Sequence, residues 1–402
     1  MSGPASGARR VPASGARRVP ASPRGVAIVG AALSDCGRVD HATAFELHHQ
    51  AASRALADAG IGRDEVDGFM SAGLGVLQPI EVAEYLGLRP SWADSTGVGG
   101  STWEFMAEHA YAAIAMGLAD VVVLVYGSTA RADLKRGLRG ANLSFGTRGP
   151  VQFDAPFGHS LISKYAMVAR RHMVEFGTTI EQLAEVAVSA RHNASLNPEA
   201  MYRDPLTLEE ILTEEPIADP LTKHHCCIRS DGGGAIVMVA EDRARDCAKP
   251  PVWVLGTGEA ISHTTMSEWD DFTESPCVRS GRQAFGRAQV APADIDVCEL
   301  YDAFTPMVLL TVEGLGFCAK GEGGSFVEDG RLRVGGALPT NTDGGGLSAC
   351  HPGMRGMFLL VEATRQLRGE CDARQVPGAE LACVNGTGGW FCSAGTIILG
   401  KD

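Results

Sequence analysis

Short, uniformly apolar runs alternate along this chain with longer segments whose apolar positions recur every three or four residues. The first run, Val26-Ala27-Ile28-Val29-Gly30, closes on glycine and predicts a buried strand. From Ala42 to Gly60, Phe45, His49, Ala52, Leu56 and Ala59 share one face, which predicts a helix that Gly60 stops. Asp64-Glu65-Val66-Asp67 leads into a strand over 68–72. A helix rich in Ala and Met follows from Ser101 to Gly117. Asp120 to Gly127, DVVVLVYG, is then a strand apolar on both faces, as in a covered parallel sheet.

The middle breaks this rhythm. Residues 133–160 are rich in Gly, Arg, Phe and His without periodicity, which predicts a long loop over a site. Helices are predicted over 162–176 and 180–193, and a short one over 206–214. Asp231-Gly232-Gly233-Gly234 precedes a strand over 235–240. No lysine follows those glycines, so they read as tight packing rather than a phosphate cradle.

After Pro250 the pattern restarts. A strand over 252–255 ends at Gly256, a helix covers 280–289, a strand covers 297–300, and a last strand over 396–400 follows the glycine loop 385–389. RALADAGIGRDEVDGFM at 54–70 and RQAFGRAQVAPADIDVCEL at 282–300 share a helix end, a short loop and an acidic step into a strand. The match falls at the same place in both halves and predicts an internal duplication. The expectation is an α/β fold of parallel sheets covered by helices. Residues 25–128 with 235–250 would form one half, 251–402 the other, and 129–234 an inserted loop domain. Residues 1–24 hold a tandem repeat, PASGARRV at 4–11 and 12–19, which cannot bury a core and predicts a disordered basic tail.

Composition narrows the function. The 402 residues are 45% hydrophobic and 21% charged, as in an ordinary globular protein, and the formal net charge of -13 disfavours nucleic acid as a partner. No apolar run reaches the roughly 18–20 residues that a membrane helix needs, and the segment 26–33 continues as domain rather than as a leader. Eleven cysteines without a framework spacing predict reduced thiols in a cytoplasmic protein, and the absence of a CxxC pair gives no support for metal.

The most distinctive stretch is 341–354, NTDGGGLSACHPGM. Gly344 to Gly346 allow close backbone approach to a ligand, and Pro352 stiffens the chain just past His351. With the duplicated pattern and the C-terminal NGTGG at 385–389, this turn resembles the thiolase superfamily, nearest to its sterol-carrier thiolase and lipid-transfer branch. The resemblance runs from about residue 25 to the end. Glu299-Leu300-Tyr301-Asp302-Ala303-Phe304 resembles that branch's E-x-H-D-C-F block, and Asn341 to Pro352 its glycine-rich H-P block. Cys226-Cys227 with Ser230-Asp231-Gly232 resembles the close of the loop domain, and Leu367 to Glu370 with Arg374 to Ala379 the lead into the last strands. The implied fold is a duplicated five-layered α-β-α-β-α core with an inserted loop domain.

The departures from that family define the expected chemistry. Thiolases place a nucleophilic cysteine three residues before a G-S-T segment. Here Gly100-Ser101-Thr102 is present and position 97 is glycine. The histidine of the E-x-H-D-C-F block is Tyr301, and 385–389 lacks the second cysteine that many thiolases carry. Without acylation, the remaining groups suit proton transfer, as in the thiolase-like aldolases of steroid side-chain breakdown. In a retro-aldol cleavage of a β-hydroxyacyl-CoA, Tyr301 would take the hydroxyl proton, and His351 would bind the thioester oxygen or protonate the enolate. Gly388 would add backbone N–H groups to an oxyanion site, with Asn341, Asp302 and the space at Gly97 in support.

Other readings stay open at this level. Tyr301 also reads as a core tyrosine, and Asp302 as a turn-former. Cys350 is a substitute nucleophile for a true thiolase or acyltransferase, and a non-catalytic acyl-CoA or lipid carrier is a third reading. Cys298, Cys383 and Cys392 read as small core residues, and His159, His224 and His225 as bordering the site. No bound cofactor is expected, because the substrate carries coenzyme A. The resemblance implies a homodimer and a small partner subunit with a zinc ribbon and an OB-like fold.

Overall fold

A computed structural model describes residues 24–72, 74–138, 149–158 and 160–401. The expected tail, apart from Arg24, lies outside these residues, as do His159 and 139–148 of the expected loop. The first half runs β1 (Val26–Leu33), α1 (Ala44–Ala59), β2 (Gly68–Ser71), α2 (Ile80–Leu86), β3 (Trp92–Asp94), α3 (Thr102–Ala115), β4 (Val121–Ser128) and α4 (Ala130–Lys135). Helices α5 (Leu161–Phe176), α6 (Ile180–Ser195) and α7 (Leu208–Leu212) precede β5 (Gly232–Ala240) and α8 (Glu241–Ala244). The second half runs β6 (Val252–Ile261), α9 (Cys277–Ala288), β7 (Val297–Leu300), α10 (Thr305–Gly314), α11 (Gly323–Phe326), α12 (Gly356–Arg368), β8 (Leu381–Gly388) and β9 (Ser393–Gly400).

The strands form one sheet in the order β3-β2-β4-β5-β1-β6-β9-β8-β7. It is two half-sheets joined where Ala27 and Ile28 of β1 meet Trp253 and Val252 of β6. About that junction β2-β4-β5-β1 is mirrored by β7-β8-β9-β6, so the duplication seen in the sequence is also a duplication of topology. Helix α1 packs on β1, β4 and β5 on one outer face, and α9 on β6 and β9 on the other. Helices α3 and α12 touch strands of both half-sheets and each other, which makes them the central layer. This yields the five-layered α-β-α-β-α arrangement.

Three expectations need correction. The half-sheets are mixed, not parallel: β2 runs parallel to β3 and β4, and β7 to β8, whereas the pairs β1–β5, β4–β5, β1–β6, β6–β9 and β8–β9 are antiparallel. Residues apolar on both faces report that a strand is covered, not which way it runs. The glycines expected to bound strands lie inside them: Gly232 to Gly234 begin β5, Gly256 lies within β6, and 385–388 complete β8. A side chain at Gly256 would strike the Ala284 carbonyl, so that glycine lets α9 sit directly on β6. Finally, the expected loop over 133–160 begins within α4 and carries two short 3-10 turns, at Pro150–Phe153 and Ala155–Phe157. Among the described residues no helix is long and apolar enough to cross a membrane.

Candidate active site

Four segments meet at one end of the central layer: the lead into α3 at 97–101, the turn after β7 at 301–302, the glycine run through 346–355, and the end of β8 at 386–389. Their meeting depends on missing side chains. A Cβ on Gly100 would overlap the Tyr301 ring and the Thr387 carbonyl, and one on Gly388 would overlap Val98 and Ser393. Tyr301 starts the turn with its N–H donated to the Asn385 carbonyl at 2.9 Å. The 226–230 segment ties this turn to the glycine run: Cys227 N–H donates to Ala303 at 2.7 Å and Ile228 N–H to Gly346 at 2.9 Å. Gly345–Ala349 is a single wide π-type turn, a geometry that recurs at functional sites.

Within this frame the Tyr301 hydroxyl lies 3.1 Å from His351 Nε2, and the two rings meet edge to face with centroids 5.6 Å apart. Both residues are buried, with His351 9% exposed. The backbone on either side is pinned. His351 N–H donates to Ser230 Oγ at 2.8 Å, and the Tyr126 hydroxyl donates to the Pro352 carbonyl at 2.7 Å. Tyr165 donates to the Gly389 carbonyl at 2.6 Å while its ring stacks on Phe304 at 4.3 Å.

The electrostatics favour a neutral pair at rest. Burial, then the Arg355 charge, lowers His351 to about 4. Burial chiefly raises the Tyr301 phenol well above its ordinary value, while a backbone hydrogen bond from Arg355 pulls the other way. That bond comes from the residue capping α12, so the positive end of a helix faces the phenol oxygen.

Arg355 was not evident from the sequence, yet it holds the site together. It is fully buried, and its Nη2 lies 2.5 and 2.7 Å from the two Asp343 oxygens. Its Nε lies 3.4 Å from Asp302, and its Nη1 donates to the Cys350 carbonyl at 2.9 Å. It therefore links the neighbour of Tyr301 to the neighbour of His351. Asp302 also accepts the N–H groups of Gly346 at 2.7 Å and Leu347 at 3.2 Å. No local sequence pattern marks Arg355, because its partners come from separate segments. Ser230 stood inside a recognised block, but its bond to His351 required the fold.

The remaining candidates fall in different places. Asn341, with a positive φ of 52°, accepts the Leu300 N–H at 2.7 Å and so holds the end of β7. Gly388 abuts Val98 and Gly99, where β8 closes the site from above. His224 lies 2.9 Å from Glu214 and His225 2.9 Å from Thr222. Cys298 and Cys383 face each other across β7 and β8, while Cys392 lies between β8 and β9. The Cys350 sulfur is directed to Ser230, at 3.1 Å, rather than to Tyr301. Among the described residues no group of three or more His, Cys, Asp or Glu side chains is arranged to hold a metal ion.

Gly97 is exposed, and a Cβ there would meet nothing within 4 Å. The fold thus leaves the position open to a side chain that the chain does not supply. Gly97→Cys should fold with its melting temperature within about 2 °C of the parent, as for a surface change without steric cost. Alkylation by iodoacetamide followed by peptide mass analysis should find the new thiol reactive. A melting point lower by more than about 5 °C would show that the space is not open.

Comparison with known proteins adds to this geometry. Residues 258–401 match the family model described as the thiolase C-terminal domain-like family. The chain is 34% identical over 387 residues to an acetyl-CoA acetyltransferase of Methanothermobacter thermautotrophicus, covering 94% of this chain and 100% of that protein. It is 34% identical over 391 residues to a steroid side-chain-cleaving aldolase of Thermomonospora curvata, covering 94% of this chain and 99% of the relative. Among solved structures, the Ltp2-ChsH2(DUF35) aldolase superposes with a TM-score of 0.85 at 32% identity, over 94% of this chain and 98% of that one.

Proposed function

The chain belongs to the thiolase superfamily, in its sterol-carrier thiolase and lipid-transfer branch, and from that membership we propose that it is a carbon–carbon lyase cleaving a β-hydroxyacyl-CoA by a retro-aldol reaction. The products are a ketone or aldehyde and a shorter acyl-CoA. The observation that carries the reading is the Tyr301–His351 contact of 3.1 Å in a site whose position 97 is glycine. An acyl transfer needs a nucleophile at the reacting carbon, and Cys350, the remaining candidate for one, has its sulfur on Ser230.

The neutral pair suits a relay. The substrate hydroxyl gives its proton to the Tyr301 oxygen as the phenol proton passes to His351 Nε2. The Cα–Cβ bond breaks, the carbonyl product forms, and the thioester enolate carries the charge that balances the imidazolium. The proton then returns through the phenol to Cα, and both side chains are as they began. Backbone N–H groups near Gly388 and the glycine run would hold the thioester oxygen, where charge develops. Asn341 and Asp302 support the walls of the site, and no cofactor enters any step.

The likeness to a steroid side-chain-cleaving aldolase and to the Ltp2-ChsH2(DUF35) aldolase supports a steroid-like acyl group and a DUF35-type partner; a zinc ribbon and an OB-like fold in that partner belong to the proposal alone. A homodimer and a cytoplasmic location complete the proposal. The test is turnover of a steroid side-chain β-hydroxyacyl-CoA by the chain with its partner subunit, followed by release of the carbonyl product. Thiolysis of acetoacetyl-CoA in place of that release would favour the acyltransferase reading. Because His351 sits at about 4, the relay stays in its working state until the imidazole protonates. The kcat should be flat between roughly pH 5 and 8 and fall only as pH approaches 4, whereas a His-like limb near ~6.5 would contradict the relay.

A further inference from the structure

A cleft of about 350 Å³ is lined by residues that include Cys36, Arg54, Glu199, Asp343 and Cys350, the last of them the chain neighbour of His351. Two thiols meet in it from opposite ends of the chain. A Cβ built on Gly232 would lie 2.8 Å from the Cys36 sulfur and 3.3 Å from the Cys350 sulfur, so both sulfurs bear on the same glycine. Each thiol shifts the titration of the other, while the Cys36 sulfur lies 3.2 Å from the Ser34 carbonyl and the Cys350 sulfur 3.6 Å from that of Asp231. Cys36 is half-buried at the cleft, and Cys350 is buried beneath it.

The two sulfurs are not equivalent. Burial pushes the Cys350 thiol up, but Cys36 and Ser230 together with the Arg355 charge outweigh it and hold the thiol below its ordinary value. The Cys350 thiol, then burial, holds the Cys36 thiol well above its ordinary value. One is set up to attack and the other to resolve, the arrangement of a reactive dithiol. None of the proposed chemistry uses either.

We propose that Cys36 and Cys350 form a hydroperoxide-reactive dithiol whose oxidation to a disulfide shuts off the adjacent site; the second half of this statement rests on the function proposed above. The Cys350 sulfur attacks the terminal oxygen of the hydroperoxide, forming an S–O bond and breaking the O–O bond. The alcohol, or water, leaves with the thiol proton. The Cys36 sulfur then attacks the sulfenic sulfur, forming the S–S bond as water leaves with the second proton. The sulfurs are oxidised and the hydroperoxide is reduced, with no other reactant. Bonding draws the sulfurs to about 2 Å, which pulls Cys350 from Ser230. Since Ser230 also holds the His351 N–H at 2.8 Å, the imidazole loses its anchor.

The test uses the full chain with its partner subunit, treated with hydrogen peroxide. Expected are a mass loss of two hydrogens, a non-reduced peptide joining residues 36 and 350, and lyase activity lower by ~10-fold or more, as for a displacement of the order of 1 Å. Dithiothreitol should restore activity. Cys36→Ser, which keeps a polar group at the Ser34 carbonyl, should retain full activity before oxidant and show no reversible loss. Absence of the joined peptide would overturn the dithiol. The joined peptide with unchanged activity would overturn the switch, and a chain with no lyase activity before oxidant would count against the proposed function alone.

Discussion

Tyr301→Phe is expected to lower kcat by about three orders of magnitude while leaving the fold intact, because general acid–base groups contribute roughly 10²- to 10⁴-fold. The substitution removes one oxygen. That oxygen contacts His351 Nε2 at 3.1 Å and takes a backbone hydrogen bond from Arg355, so both groups lose a partner. Leaving buried polar groups unpaired costs about 1–3 kcal/mol, a shift of several degrees in melting temperature rather than unfolding. The ring still packs against Gly100, which has room for nothing larger. Steady-state kinetics on a β-hydroxyacyl-CoA with a parallel thermal melt separate the effects. If Tyr301→Phe kept kcat within about tenfold of the parent, the hydroxyl would not be in the proton path. A large loss of both kcat and melting temperature would instead point to a core tyrosine, the reading open at the sequence level.

Much of this site could be read before the fold was seen, because short motifs carry it. Tyr301 and His351 each sit in a block with a recognisable pattern, and the glycine at position 97 is a departure visible against Gly100-Ser101-Thr102. The repeated step at 54–70 and 282–300 foretold the mirrored half-sheets for the same reason: it is local. What the chain concealed is directional or long-range. Strand direction in β5 depends on how the chain returns after 129–231, which the apolar run at 235–240 does not encode. Glycines read as loop punctuation proved to be strand positions, since a strand that accepts a helix against its backbone also needs glycine. The pairing of Cys36 with Cys350 and the grip of Arg355 on Asp302, Asp343 and Cys350 depend on contacts between distant segments. A buried arginine looks like any other arginine in sequence.

That arginine yields the second large effect. Arg355→Met keeps an unbranched apolar stem to about the position of the guanidinium Nε and removes the charge, leaving the buried Asp302 and Asp343 without their counter-charge. Breaking a buried pair in this way costs about 3–5 kcal/mol. The pH dependence identifies the cause. Burial raises the Asp343 carboxyl, but Arg355, by charge and hydrogen bonds, outweighs it, so its folded-state value lies below the unfolded one. In the parent, this stabilisation is present above the unfolded value near ~3.9 and is lost as pH falls through the folded value. Burial already raises Asp302, against the pull of Arg355. Without the guanidinium both carboxyls are raised. In the variant, stability is then present below the unfolded value and lost as pH rises through the folded values. The gap between parent and variant should therefore be smaller at about pH 5 than at about pH 8, as read by urea denaturation at the two pH values. An equal gap at both would mean that lost packing, not stranded charge, accounts for the cost. Activity should fall with the fold, because the same guanidinium holds the Cys350 carbonyl beside His351 and the same residue's N–H faces the phenol. Arg355→Lys should recover part of the stability but little activity, since an ammonium matches the charge without spanning Asp302, Asp343 and Cys350 at once.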